Sequence, residues 1–486
     1  MNTAASYSLP GEDRRRDWLT RVLGIVLLVA TGILLGMQYF QPEKRTIAVL
    51  AAIVVFGIAW RIDMVSGLCL LTLLLPFPRG MVFGSSTTAF IALLLLIWLL
   101  RIGQRQSPTP QRTPIDIPVA GLLIAYVLSF VNLPGLDELA RALHATSLVV
   151  TCVVMFYLIV SNIRTEQALE RFHTFQAIAV FTIMALGVYE LNHPGASLIR
   201  GWIQFQLPEG VEALNVKNLR VGGPFFDYEL MCEFCALNLL LIVFMFVRAR
   251  TVLRRTLLGL LLGLTMFILF ATVTRGGLMA LAAGTLYLLW VVRRRLRLVP
   301  LVVALSAGLA SVLLMNFYVA NFTHSGDLLA RLGTTTFHHG VVPDDRLIAW
   351  QGAWERFLQH PILGHGPVYT QVSGARIWFW PHNNYLYVAN IVGIVGLSFF
   401  LAILWNLFRA TRPPVHTLQD PSYSRSFLLI AHTQLIVFMI DQVKIDFLRN
   451  AVYQFQVWLL FATMVSAALI ARQAAPAPAP APARPS

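Results

Sequence analysis

Three short motifs carry side chains able to hold an anion or move a proton. The first is Asn218-Leu219-Arg220-Val221-Gly222-Gly223-Pro224-Phe225-Phe226. An Arg ahead of a Gly-Gly-Pro turn offers a guanidinium fork beside exposed backbone N–H groups, which suits phosphate; the alternative is an interfacial Arg snorkelling from a helix end. The second, Thr272-Val273-Thr274-Arg275-Gly276-Gly277, reads as a tight reversal with its Arg pointing outward. It is either topological punctuation or a second anion contact, and outward placement against the positive-inside trend favours the contact. The third, Pro381-His382-Asn383-Asn384-Tyr385-Leu386, sets His382 just before an apolar run. An imidazole there can accept a proton near neutral pH. His338, His339, His360 and His365 fall in the same stretch, so residue type alone does not select His382.

Other ionisable residues join these motifs rather than scattering: Glu190, Asp227, Glu229, Glu233, Asp441, Lys444 and Asp446. All stand at or near the ends of apolar runs that map to one leaflet. Ionisable groups in a membrane domain are costly and tend to mark function. Their convergence predicts a site at the outer membrane–water boundary, whereas a transporter would place such groups near the bilayer midplane.

The elements that must position these residues are membrane helices. Apolar residues make up 57% of the 486 and charged residues only 12%, against roughly 25% charged in a soluble domain. The net charge of +14 is carried in clusters between apolar runs, at Arg14-Arg15-Arg16, Arg101–Arg112, Arg248–Arg255, Arg293–Arg297 and Arg409–Arg425. That distribution follows topology and implies no nucleic-acid partner. Cys69, Cys152, Cys232 and Cys235 lie within apolar segments and read as buried packing, with neither a disulfide framework nor a zinc site. The polar start through Asp17 argues against a cleavable signal peptide.

Candidate spans are 21–40, 46–61, 64–77, 85–101, 117–134, 145–162, 172–191, 228–248, 256–272, 276–292, 298–320, 385–408, 426–445 and 450–471. A span needs roughly 20 apolar residues, so 64–77 and the pair 256–272 and 276–292 are candidates for half-spans. An all-α polytopic fold of 12–14 transmembrane helices is expected. Placing the N-terminus inside sends every basic cluster to the cytoplasm, so both termini are expected there. The chain then divides into a cytoplasmic segment at 1–20, helices over 21–320 with an outer loop at about 192–227, a large outer loop at 321–384, helices over 385–471, and a disordered Ala/Pro tail at 472–486. Within the large loop, Pro343-Asp344-Asp345 starts a helix, Leu347, Trp350, Trp354 and Leu358 give it an apolar stripe for the membrane surface, and His360-Pro361 with Gly364-His365-Gly366 ends it.

At these residues the chain resembles the O-antigen ligase and polymerase superfamily. The resemblance is carried by Arg346…Trp350…Trp354…His360-Pro361-Ile362-Leu363-Gly364-His365-Gly366, then His382-Asn383-Asn384-Tyr385-Leu386 running into Ile391-Val392-Gly393-Ile394-Val395-Gly396. Arg220 with Gly222-Gly223 and Arg275 with Gly276 match two further family positions, and 215–410 is the stretch covered well. The resemblance implies a GT-C-like membrane glycosyltransferase of the bacterial inner membrane. It implies transfer of glycan from undecaprenyl pyrophosphate to an acceptor hydroxyl on the periplasmic face, lipid A–core oligosaccharide being the acceptor of the ligase. No metal or other cofactor is implied. His382 would activate the acceptor, and Arg220 and Arg275 would hold the pyrophosphate. Arg346, Asn383, Tyr385 and Arg331 are possible helpers. Rival readings are a polysaccharide polymerase, a protein O-oligosaccharyltransferase, or a flippase of lipid-linked glycan.

Overall fold

The computed structural model describes residues 57, 60–77, 80–81, 84–192, 220–293, 310, 313–314, 316–318, 321, 344–368, 381–415 and 417–473. The expected span at 21–40, the Ala/Pro tail and most of 46–61, 298–320 and the two outer loops lie outside these residues, as does Arg331. Contacts divide the chain into a unit over 1–67 and a larger one over 68–486, which contains the site.

The described chain is helical apart from one antiparallel pairing of Gly80–Met81 with Gly84–Ser85. After a short helix α1 (Met64–Leu74) come α2 (Ser86–Gly103), α3 (Asp116–Leu128), α4 (Leu136–Asn162), α5 (Glu166–Asn192), α6 (Tyr228–Arg248), α7 (Val252–Ala271) and α8 (Arg275–Val292). The remainder are α9 (Asp344–Gln359), α10 (Asn384–Ala410), α11 (Tyr423–Asp441) and α12 (Ala451–Gln473). Nine of these are long and apolar enough to cross a membrane: α2, α4 to α8, and α10 to α12. The protein is an all-α, multi-pass membrane protein. The half-spans considered at 256–272 and 276–292 are full-length helices, because α7 begins at Val252, after a Thr251 cap, and α8 at Arg275.

Burial separates the helices into two kinds. Some 83%, 78% and 89% of the most apolar windows of α6, α11 and α12 are covered by protein, against 28% for α2 and α7 and 22% for α8. A helix apolar on all sides and covered on all sides is core; α2, α7 and α8 leave apolar faces for lipid.

Polar contacts sort the described helix ends into two sets. At one end Glu166, opening α5, accepts from Ser424 Oγ (2.9 Å), and Arg248, closing α6, donates to the Asp420 carbonyl (2.7 Å). Arg254 of α7 meets Glu170 (2.8 Å), and Gln111 N–H reaches Ser161 Oγ (3.4 Å). The described members of the basic clusters belong to this end. At the other end lie the close of α5, the opening of α6, the α7–α8 turn, the opening of α10 and the α11–α12 turn.

Helix α10 is broken at Gly393, whose φ of 65° is left-handed. The break leaves carbonyls and amides unpaired, and the turn after α9 fills it. His365 N–H donates to Asn390 O (2.8 Å), Gly366 N–H to Ile391 O (3.0 Å) and Ile394 N–H to Pro361 O (2.9 Å). Gly364 and Gly366 also have positive φ. The Pro361-to-Gly366 motif is thus a backbone plug. His365 is part of it: its Nε2 donates to Arg356 O (2.8 Å), and burial lowers its pKa. The expected helix within the large loop is α9, but its packed face is made by Ala349 and Ala353 against α10, with Asn390 Nδ2 donating to Ala353 O (2.9 Å). Trp354 and Leu358 face outward and Trp350 is half-buried.

A Cβ at Gly393 would lie 2.1 Å from Ile362 O. Gly393→Ala is therefore expected to cost on the order of 2–3 kcal/mol through backbone strain and clash. The check is a thermal melt in detergent; an unchanged midpoint would remove the plug from this account.

Candidate active site

The site is assembled around the first turn of α6. Asp227 caps that helix, its Oδ1 accepting from the N–H groups of Glu229 (2.8 Å) and Leu230 (3.1 Å). A carboxylate there is favoured by the helix dipole. Asp227 Oδ2 also accepts from Arg449 Nη2 (2.6 Å). Glu229, side chain 9% exposed, accepts from Arg346 Nη2 at Oε1 (2.5 Å) and from Arg449 Nη2 at Oε2 (3.0 Å). His382 Nδ1 stands 3.2 Å from the same Oε2.

His382 immediately precedes Asn383, the cap of α10, and has a φ of 45°. A left-handed β-carbon residue is held there only by its surroundings. Those surroundings are Arg346, which donates to the carbonyls of His382 (3.5 Å) and Lys444, and Asn384, whose N–H is shared by Gln442 O and Ile445 O (both 2.9 Å).

The imidazole has two neighbours on one nitrogen, Glu229 Oε2 and Arg449 Nη1, the latter at 3.0 Å. A guanidinium N–H only donates and a carboxylate only accepts. With its proton on Nδ1, His382 donates to Glu229 and its Nε2 lone pair is free to act as a base. With Nδ1 bare, it accepts from Arg449, and Nε2–H becomes a donor. The His382 side chain is 37% exposed, against 10% for Arg449 and 22% for Arg346, so the imidazole is the most open member of the group.

Arg449 ends the short turn Phe447–Arg449, which Asp446 caps by accepting the Arg449 N–H (3.1 Å). Burial works against the Arg449 charge, but Asp227, Glu229 and Asp446 outweigh it and hold the guanidinium above its ordinary pKa. Burial pushes the Asp446 carboxyl up to about 6, with Arg449 and His382 opposing.

Further cations border this cluster. Lys444 pairs with Asp441, and its side chain lies where a Cβ on Gly276 would stand. Arg275, the first residue of α8, is therefore next to the α11–α12 turn, and Thr274 Oγ1 ties it to Tyr228 O (3.4 Å). Arg220 lies 4.4 Å from the centroid of the Tyr228 ring, one residue from Glu229. Among the described residues no three His, Cys, Asp or Glu side chains gather as a metal site.

Residues 260–401, which include Arg275, Arg346 and His382, match the family model described as O-antigen ligase. The chain carries a domain of the O-antigen ligase superfamily. No curated protein matches it. Arg220, Glu229 and Arg449 fall outside the matched segment, so the O-antigen ligase domain forms its polar cluster with residues from both flanks.

The geometry gives several of the residues expected at the site other partners. The Gly222 and Gly223 N–H groups are not open to phosphate, because the Glu190 carboxylate takes them (3.4 and 2.9 Å). Asn383 Oδ1 is engaged in capping α10 through Leu386 N–H (3.1 Å). Tyr385 OH donates into α11 at Met439 O (2.8 Å), which anchors the side chain. Arg346, a possible helper by sequence, is tied to Glu229. Arg449 escaped the sequence reading altogether. The available signal was a cation in a turn between two spans at the end opposite the basic clusters, the same signal that singled out Arg275.

The buried Asp446 yields a pH test. A carboxyl with a raised native pKa binds its proton more tightly when folded, so stability falls as pH rises from about 4 to about 6. That slope corresponds to up to about 3 kcal/mol. Melting curves from pH 4 to 7 are expected to be flatter over this window for Asp446→Asn than for wild type.

Proposed function

We propose that the protein transfers O-antigen glycan from undecaprenyl pyrophosphate to the lipid A–core oligosaccharide at the periplasmic face of the inner membrane. The observation that carries the reading is the partly exposed imidazole of His382 backed by Glu229 between two arginines, at the end of the bundle opposite the basic clusters. Basic residues retained on the cytoplasmic side make the opposite end periplasmic.

With Nδ1–H directed at Glu229, His382 Nε2 takes the proton of the acceptor hydroxyl as the new C–O bond forms at the anomeric carbon. The bond from that carbon to pyrophosphate breaks on the opposite side, inverting the configuration. Both electrons leave with undecaprenyl pyrophosphate. Arg275 and Arg220 meet its developing charge as fixed cations, and guanidinium forks suit phosphate oxygens. Because Glu190 already holds the Gly222 and Gly223 amides, this contact rests on side chains. Fixed cations carry the charge compensation, so transfer is expected to survive EDTA.

The test is transfer by purified protein in detergent, with a defined lipid-linked donor and with core-containing or core-deficient lipid A. Product on the core-containing acceptor alone is expected. His382→Ala is expected to lower the rate by about 10²–10⁴-fold, and Arg275→Lys by at least ~10-fold despite keeping the charge. Near-normal ligation by His382→Ala would overturn the reading. Donor lengthening without acceptor would make the protein a polymerase, and movement of donor across vesicles with no transfer in detergent a flippase.

A further inference from the structure

We infer that Gln442 is the positioning residue of this site, a buried amide that sets the backbone segments bearing Glu229, Arg449 and His382 against one another. The inference rests on the reading of His382 as the acceptor-activating group and adds a residue that touches no substrate. Gln442 is fully buried at the close of α11. Its Nε2 donates to both oxygens of Glu233 (2.8 and 3.1 Å), one helical turn from Glu229 on α6. Its Oε1 accepts the Phe447 N–H (3.3 Å), which opens the turn ending in Arg449. Its backbone carbonyl accepts the Asn384 N–H (2.9 Å), two residues after His382. Three elements of the site therefore converge on one residue.

The side chain has to be an amide. Donating to a carboxylate at one edge and accepting a backbone N–H at the other needs both functions on one planar group. Glutamate would set a second carboxylate against Glu233, and methionine would fill the volume but make neither bond. Glu233 is itself fully buried, and its other donor is Tyr453 OH (2.7 Å). Without the Gln442 side chain that carboxylate loses its link to α11 and the Phe447 N–H loses its acceptor, so the turn bearing Arg449 is freed from the helix bearing Glu229, while the backbone bond to Asn384 keeps the His382 segment in place. Misplacement of catalytic groups by about 1 Å costs on the order of 10²-fold in rate, whereas substrate contacts made by other residues persist.

The experiment compares Gln442→Met, Gln442→Glu, Glu233→Gln and the exchange Glu233→Gln with Gln442→Glu, all in the detergent transfer assay, with His382→Ala alongside. Gln442→Met is expected to lower kcat ~10–100-fold, leave KM for the lipid-linked donor within about threefold, and shift the acid limb of the pH–rate profile. Gln442→Glu should be slower still. The exchange should recover at least ~10-fold over Gln442→Glu, because Gln at 233 can donate to the carboxylate at 442. A wild-type kcat and pH profile in Gln442→Met, a change in KM alone, or no recovery in the exchange would each refute the inference. Should Gln442→Met not fold, Gln442→Glu against the exchange decides. Transfer retained by His382→Ala would overturn the reading of the site itself; an inactive His382→Ala beside a normal Gln442→Met would overturn only the role of Gln442.

Discussion

A single buried carboxylate organises the polar end of this bundle. Glu229 is shared by two guanidiniums and faces the imidazole between them. A carboxylate removed from water requires charged or hydrogen-bonded partners, and removing one partner of such a group typically costs about 3–5 kcal/mol. The requirement is mutual. Arg449 is buried against Asp227, Glu229 and Asp446, and its charge is tolerable only because they surround it. The three chain segments supplying Glu229, Arg346 and Arg449 are more than 90 residues apart in sequence, yet the electrostatics admits them only together.

Two backbone devices make that convergence possible. The break at Gly393 lets α10 receive the turn after α9, which couples the helix carrying Arg346 to the helix opened by His382. The α11–α12 turn is tied to the loop before α6 by Asn450 Nδ2 donating to Phe225 O (2.7 Å) and to α10 through Gln442 and Asn384. In both devices a buried backbone group left over by one element is satisfied by another, and that obligation specifies position more sharply than apolar packing does. The far end of the bundle is held likewise, with Glu166, Glu170, Arg248 and Arg254 joining α5, α6, α7 and the segment before α11.

The site is therefore polar at its rim and closed beneath. Going from His382 through Arg346 to Glu229 and Arg449, exposure falls, so a ligand arriving from water or from the lipid face meets the imidazole first. The imidazole's two alternative hydrogen bonds, to a carboxylate or to a guanidinium, give it the choice between accepting and donating a proton without moving the ring.

Hydropathy and charge placement in the sequence were enough to determine a polytopic helical protein, the position of most described helices and the end at which the ionisable groups collect. These follow from one-dimensional facts: run length, composition, and the alternation of sides at each turn. Arg275 stood out in the sequence as a cation placed against the topological trend, and His382 as an imidazole just ahead of an apolar run. Only the tertiary structure decided which groups pair. It turned Gly222 and Gly223 from a phosphate nest into the seat of Glu190, made Asn383 a helix cap and Tyr385 an anchor, and brought in Arg449 and Gln442, which no local pattern distinguished. Pairing depends on which helices are neighbours in space. For helices that are apolar on all faces, the sequence period carries almost no record of which face meets which partner.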